Sequence, residues 1–291
     1  MITLATSGME RQLDKLWRSC FDDPIKVTRY FMKYRFVPDN CPVAQEGKEV
    51  VSALYLLPAK IRMGGRLCKA QYVYAAGTLP QYRNQGLMTA LLKKADEIGA
   101  ENNVEYTFLV PSSQSLFQYY EKAGYQTYFY LRKVRLDREE MTALAQGGKP
   151  RVAAISDRLL WSVRNTAFAG RPGNVVWDKH AVGFAADFHC ICGGEVFSAA
   201  WEGCFGYAFF RENGNIGEIT EIVADEHTLP GLAYQMLHDC KCGQFTFWLP
   251  VGGTLFPGRG EVMPFGMIKR YNGGIEQPSG AIRPYLGLHL D

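Results

Sequence analysis

The amino-acid sequence predicts a mixed α/β (α+β) protein of two tandem domains. Three observations carry that expectation. The chain has 291 residues, and one domain takes ~100–200 of them. Apolar residues recur at helical spacing in some stretches and run as extended segments in others. A strand, a helix and a strand ending in proline occur once in the first half and again about 140 residues later, which reads as a diverged repeat.

The elements follow in order. Residues 8–20 read as a helix with Leu13, Leu16, Trp17 and Cys20 on one face. Asp23-Pro24 opens a second, with Asp as cap and Pro at the first helical position, carrying Val27, Tyr30, Phe31 and Tyr34. Strands are expected at Cys41–Gln45, Val50–Leu57 and Ala70–Leu79, with Glu46-Gly47-Lys48 as a tight turn. Residues 85–102 give the strongest helical pattern, with Leu87, Leu91, Leu92, Ala95 and Ile98 as the apolar stripe. A strand Glu105–Val110 ends at Pro111. A helix capped by Ser112 or Ser113 stops at Gly124, the usual residue of a left-handed helix end. Tyr125–Arg135 is a further strand, and 137–150 reads as a linker through Gln146-Gly-Gly-Lys-Pro150. Beyond it, Asp157–Phe168 and Leu229–Cys242 read as helices. Phe184–Cys190, Gly194–Trp201, Cys204–Phe210, Gly217–Ala224 and Gln244–Pro250 read as strands. The domains are then 1–136 and 151–291.

Composition narrows the class of function. The hydrophobic fraction is 47% and the charged fraction 21%, as in ordinary globular proteins. No apolar run reaches the ~18 residues of a membrane span. The N-terminus lacks the basic and apolar regions of a secretory signal, so the cytoplasm is the expected location. Residues 1–135 hold 19 Lys/Arg and 12 Asp/Glu, a balance of +7, against 13 and 17, or −4, in the remainder. A basic first half suits a small polyanionic ligand and is too weak a bias for nucleic acid. Nothing in the composition decides for or against a homo-oligomer. Of the eight cysteines, Cys190/Cys192 and Cys240/Cys242 form C-x-C pairs. Structural zinc prefers two to four intervening residues. An extended strand puts residues i and i+2 on one face, so these pairs read as buried thiols rather than metal ligands, with His189 and His238 the nearest further donors.

The segment from Ala75 to Met88 carries the chemistry. A strand runs into a short loop holding Arg83 and Gly86, and a helix opens directly. The first N–H groups of a helix have no internal acceptors and form an anion site. A glycine there lets a bulky phosphate approach, and Arg83 adds a permanent charge. The loop suits a pyrophosphate, yet it has neither Gly-Lys-Ser/Thr nor G-x-G-x-x-G.

Pro80-Gln-Tyr-Arg83-Asn-Gln-Gly86-Leu-Met88, after a strand and before a long helix, resembles the coenzyme A loop of GCN5-related N-acetyltransferases (GNATs), Arg/Gln-x-x-Gly-x-Gly/Ala. Arg83 and Gly86 match. Met88 departs at the third signature position, where the subgroup of enhanced-intracellular-survival (Eis) acetyltransferases tolerates a larger aliphatic residue. Phe117-Gln-Tyr-Tyr120-Glu-Lys-Ala-Gly124-Tyr125 is similar to the family's Phe-Tyr-x-x-x-Gly-Phe/Tyr segment. The resemblance covers residues 1–135 by element order as well. It implies tandem GNAT-like domains, each a mostly antiparallel sheet flanked by helices. It also implies acetyl-CoA as cosubstrate and direct attack of an amine on the thioester.

The resemblance further implies roles for residues. Backbone groups of Ala76, Gly77, Thr78 and Leu79 would face the thioester and pantetheine, with Leu79 N–H the leading donor. Arg83, Asn84, Gln85, Gly86, Leu87 and Met88 would hold the pyrophosphate. Tyr120 would be the general acid, with Tyr119 the substitute; spacing alone favours a packing aromatic, and the loop match reverses that order. The base has several candidates: the terminal carboxylate of Asp291, which serves in the Eis-like group on an added third domain that this chain looks too short to hold, and Glu46, Glu105 and His289. The second half lacks the loop motif, and its Asp225 and Glu226 would repel a pyrophosphate. It is therefore expected to be a degenerate copy. Three functions stay open at this level: N-acetyl transfer to a small, peptide or protein amine, a non-catalytic acyl-CoA-binding module, and aminoacyl transfer on the same double fold.

Overall fold

A computed structural model describes residues 1–146, 151–152, 154–275, 281–288 and 290. The chain forms β1 (Ile2–Leu4), α1 (Glu10–Phe21), α2 (Ile25–Tyr34), β2 (Pro42–Glu46), β3 (Glu49–Met63), β4 (Arg66–Thr78), α3 (Leu87–Glu101), β5 (Tyr106–Leu109) and α4 (Gln114–Lys122). There follow β6 (Gln126–Asp137), α5 (Arg138–Ala145), β7 (Arg151–Val152), α6 (Asp157–Phe168), β8 (Val175–Val176), α7 (Lys179–Ile191) and β9 (Glu195–Trp201). The last elements are β10 (Cys204–Asn213), β11 (Ile216–Val223), α8 (Leu229–Asp239), β12 (Gln244–Pro250) and β13 (Glu261–Arg270). The α/β class expected from the sequence is the one observed.

Two compact units result. The first holds Met1–Tyr128 with Gly266–Gln277; the second holds Phe129–Phe265 with Pro278–Asp291. In the first, β1 to β4 are antiparallel neighbours, and β4 pairs β5 in parallel. Residues Met267–Arg270 of β13 then pair antiparallel with β5. This late segment is tied in by Lys269, whose Nζ lies 2.6 Å from Asp96 Oδ2, and by Tyr271, which bonds Gln71 at 2.9 Å and also Thr107. Of the apolar faces read from periodicity, Leu13, Leu16 and Trp17 of α1, Val27 and Phe31 of α2, and Leu91, Leu92, Ala95 and Ile98 of α3 are buried, while Cys20, Tyr30 and Leu87 are half-buried and Tyr34 is exposed. Trp17 and Phe31 meet Tyr55 and Tyr74 of the sheet with ring centroids 5.0–5.5 Å apart, a range in which aromatic pairs attract.

The second unit repeats the pattern. β9, β10 and β11 are antiparallel, β11 pairs β12 in parallel, and residues Leu131–Asp137 of β6 pair antiparallel with β12. Its core centres on Phe197, Phe210, Leu232, Met236, Phe245 and Phe247.

Several local expectations change. Phe184–Cys190 is helical, inside α7. Asp178 caps that helix by accepting from Ala181 N–H at 2.8 Å, and its burial is dense enough to hide the helical period. Cys190 and Cys192 therefore do not share a strand face, and Cys190 is exposed. Asp23 is not the cap of α2. Pro24 holds that position, while the Asp23 carboxylate accepts from Trp17 Nε1 at 2.7 Å. The expected short strands at 50–57 and 70–79 extend into one long hairpin turning at Gly64-Gly65.

Candidate active site

The cleft of the first unit starts from a parallel pair that does not stay paired. β4 and β5 are joined only over Ala70–Tyr72 and Tyr106–Phe108. β4 continues to Thr78, and β5 soon ends before the buried Pro111, which has no N–H to extend a ladder. The diverging ends open a cleft of about 610 Å³, within the size range of small-molecule sites. Ala76, Gly77 and Thr78 form one wall. Tyr82, Arg83, Asn84, Gly86, Leu87, Met88 and Thr89 form the loop and helix end. Ser112, Ser113, Ser115, Leu116, Tyr119 and Tyr120 come from the opposite side, and Cys20 and Phe21 close the rim.

Each wall has a physical cause. On β4, Ala75 and Ala76 together face Leu54, because the register shifts between Ala53↔Gly77 and Tyr55↔Tyr74. Ala75 takes φ 44°, a conformation rare for a residue with a side chain. This is a β-bulge, which leaves backbone groups out of the ladder at the strand's cleft end. At the start of α3, Gly86 is the N-cap with φ 77° and no side chain caps the helix. The first helical bond runs from Ala90 N–H to Gly86 carbonyl. The N–H groups of the first turn are therefore unspent, and no acid stands there to neutralise them. A Cβ built on Gly86 meets nothing within 4 Å, so open space lies in front of this end. Arg83 is held by its Nε, 3.1 Å from the Thr78 carbonyl.

Tyr120 lies on α4 and is 8% exposed. Burial, with a smaller contribution from Tyr119, pushes its phenol up to about 12. Tyr119 differs: its hydroxyl is 3.1 Å from Thr89 Oγ1. α4 ends as its sequence suggests, with Gly124 at φ 87° and Tyr125 N–H bonding the Tyr120 carbonyl at 3.1 Å.

Ala76, Gly77, Thr78, Arg83, Asn84, Gly86, Leu87, Met88 and Tyr120 are thus brought together. Leu79 and Gln85 are not part of the lining. The Leu79 N–H, the expected thioester donor, is spent on the Val51 carbonyl at 2.9 Å. The bulge at Ala75–Ala76, which a run of small residues does not announce, supplies unpaired backbone nearer the strand's bend. The Gln85 side chain bonds the Gln81 carbonyl. Glu105 is paired with Arg66 through both oxygens at 2.5–3.0 Å, and that pairing holds its carboxyl below the ordinary range. Glu105, just before β5, does not line the cleft. Glu46 is exposed at a hairpin and does not line the cleft. Asp291 and His289 lie outside the described residues. Among the described lining residues there is no Asp, Glu or His. Cys20 was legible only as part of a helix face. It sits under Gly77, where an added Cβ would come 3.0 Å from its Sγ. Burial raises its thiol, partly offset by Arg83.

A family model for an acetyltransferase (GNAT) domain matches residues 2–128. Residues 2–128 are a GNAT acetyltransferase domain. The chain that carries it is a transferase. Solved structures with the same fold include a conserved protein of unknown function from Enterococcus faecalis (15% identity, 93% of this chain and 72% of that one, TM-score 0.73). A GCN5-related N-acetyltransferase from Anabaena variabilis gives 18% identity, 94% and 73% coverage and a TM-score of 0.71. Eis1 from Mycobacterium abscessus gives 14%, 93% and 73%, and 0.68. At these identities the likeness speaks for the fold. A comparison with curated proteins finds no match.

The second unit keeps the skeleton of this GNAT cleft without its anion site. β11 also bulges, at Thr220, between Phe209↔Glu221 and Phe210↔Ile219. At the start of α8, however, the Asp225 carboxylate accepts from His227 N–H at 3.1 Å, Thr228 N–H at 2.8 Å and Thr228 Oγ1 at 2.7 Å. The Leu229 N–H goes to the Asp225 carbonyl, the Gly231 N–H to the Thr228 carbonyl, and Pro230 has none, so the start of α8 has few N–H groups left for an anion. The opening beside the ends of β11 and β12 is about 180 Å³. Its arginines, Arg132 and Arg171, donate to backbone carbonyls.

Proposed function

We propose that the GNAT domain binds acetyl-CoA in the cleft between the diverging ends of β4 and β5 and passes its acetyl group to a primary amine. The observation that carries this reading is the convergence, in one cleft, of a bulged strand, an uncapped helix N-terminus with Arg83, and the buried phenol of Tyr120. The unspent N–H groups of Gly86, Leu87 and Met88, with Arg83, would take the pyrophosphate. The backbone at Ala75–Ala76 would face the thioester carbonyl as it gains negative charge. The amine nitrogen forms a bond to the carbonyl carbon, and the carbon–sulfur bond breaks. Tyr120 donates its hydrogen to the departing sulfur. The described cleft wall offers no carboxylate or imidazole, so we assign the ammonium proton to water or to the terminal carboxylate of Asp291. The second unit, whose α8 N–H groups are already spent within the chain, is read as a degenerate GNAT-like domain that does not bind coenzyme A. We read the protein as cytoplasmic, with neither nucleic acid nor membrane taking part in the reaction. Among the described residues no helix is long and apolar enough to cross a membrane.

Acetyl-CoA at saturation should raise the melting temperature by binding only the folded domain; no shift removes the assignment. A thiol-release screen against small, peptide and protein amines then identifies the acceptor. A thermal shift with acetyl-CoA but no thiol release on any amine of the panel favours a binding module instead.

Gly86→Ala tests the anion site. An alanine at φ 77° costs about 1 kcal/mol of stability. Its Cβ also projects into the open space in front of the helix. Acetyl-CoA should bind about tenfold more weakly, a loss of ~1.4 kcal/mol, measured by calorimetry on the folded variant. Unchanged affinity would place the phosphates elsewhere.

A further inference from the structure

Cys240, Cys242 and Glu212 converge in the second unit, away from any role in the cleft. Cys240 closes α8 in an extended conformation, and Cys242 follows two residues later. Arg138 fixes this turn, donating to the carbonyls of Leu237 at 3.0 Å, Cys240 at 3.2 Å and Cys242 at 2.8 Å. Glu212 arrives from the far end of β10. One ligand atom from each of the three lies within 4.8 Å of the others, and Cys242 Sγ is 3.8 Å from Glu212 Oε1.

These distances suit a metal. A tetrahedral ion bound at ~2.3 Å to sulfur and ~2.1 Å to oxygen sets those ligands ~3.6 Å apart. Both thiols are buried and free, while Glu212 is exposed, so the site opens to solvent on the carboxylate side. Glu195 lies within the electrostatic reach of Asp239 and Glu212, so the surroundings add negative charge. Two sulfurs and one carboxylate select zinc over magnesium or calcium, which take oxygen ligands. Spacing alone hides this arrangement, because C-x-C is short for zinc and the third donor comes from another strand.

We propose that Cys240, Cys242 and Glu212 bind one Zn²⁺ per chain, with water as the fourth ligand, clamping the turn between α8 and β12. The two thiol protons pass to solvent as the zinc–sulfur bonds form.

The test uses the full chain, reduced and metal-free, titrated with Co²⁺ as the spectroscopic probe. One equivalent should produce thiolate-to-cobalt charge-transfer absorption with the intense visible bands of a tetrahedral site. Zn²⁺ should displace it and raise the melting temperature, while Mg²⁺ should do neither. Glu212→Gln, at an exposed position that leaves the core intact, should weaken Co²⁺ binding at least about tenfold. Cys242→Ala should remove most of the charge-transfer intensity. Absence of the absorption in the wild-type chain overturns the proposal. So does an affinity unchanged in Glu212→Gln, or a signal that follows Cys190→Ala instead.

Discussion

Replacing Tyr120 by phenylalanine is expected to lower kcat by about 10²–10³-fold while leaving acetyl-CoA binding nearly intact. The ring supplies the packing: Tyr120 stands edge-on to Tyr119 and Tyr125, with centroids 5.2 and 5.9 Å apart. Phenylalanine keeps those contacts and removes only the hydroxyl. On the proposed mechanism, what is lost is a hydrogen-bond donor to the sulfur that becomes negative as the thioester breaks. Burial pushes the phenol to about 12, and this has two consequences with opposite signs. The group stays protonated through the neutral and mildly alkaline range, so no fall in kcat from its ionisation is expected below about pH 11. It is also a weaker acid than an exposed phenol at ~10, so much of its effect comes from stabilising the thiolate by donation before the proton moves. The KM-against-kcat split separates this from a structural role, since a damaged cleft would weaken cofactor binding as well. Tyr119→Phe is the matched control. Its hydroxyl is engaged with Thr89, and kcat should stay near the wild-type value. A reversal of the two results would transfer the role to Tyr119.

The legible part of this molecule is the part written in local chemistry. Helical period marks most of the buried faces of α1 and α3, and Gly86 before an apolar helix marks where α3 opens without a side-chain cap. Gly124 likewise fixed the end of α4. What stayed hidden depends on pairing across the chain. The bulge at Ala75–Ala76 follows from its register against β3, and nothing in Ala-Ala-Gly encodes it. The resemblance points to Leu79 as a donor, yet a motif does not say which N–H is spent, and the Val51 carbonyl takes this one. The assignment of Gly266–Gln277 to the first unit rests on pairing of β13 with β5, more than 150 residues distant in sequence. α7 was read as a strand over Phe184–Cys190 because a helix buried on most sides shows no polar face, and a short apolar run fits either period.

The largest loss of stability is expected from Glu221→Ala, a residue the sequence marks only as an acid in an apolar strand. Its carboxylate meets Arg164 at 3.0 and 3.2 Å, and it accepts from Tyr207 at 2.7 Å and Tyr285 at 3.1 Å. The ion-pair side chains are each 1% exposed. Burial, and then the charge of Glu221, hold both phenols well above their ordinary range, so both remain donors. Removing the carboxylate leaves a guanidinium in the interior with no counter-charge, which costs about 3–5 kcal/mol. For a unit of this size that is a fall in melting temperature of roughly 10 °C. Arg164→Met with Glu221→Leu should recover most of it, because two well-packed apolar side chains replace a desolvated pair; a double variant as unstable as the single one would show that the charge pair is not the cause. The cluster also anchors the chain's last residues. Arg164 and Trp177 both donate to the Leu286 carbonyl at 3.3 Å, and Tyr285, Leu286, Leu288 and Leu290 are buried. Hydrogen exchange at 285–288 should therefore rise in Glu221→Ala well below its melting point.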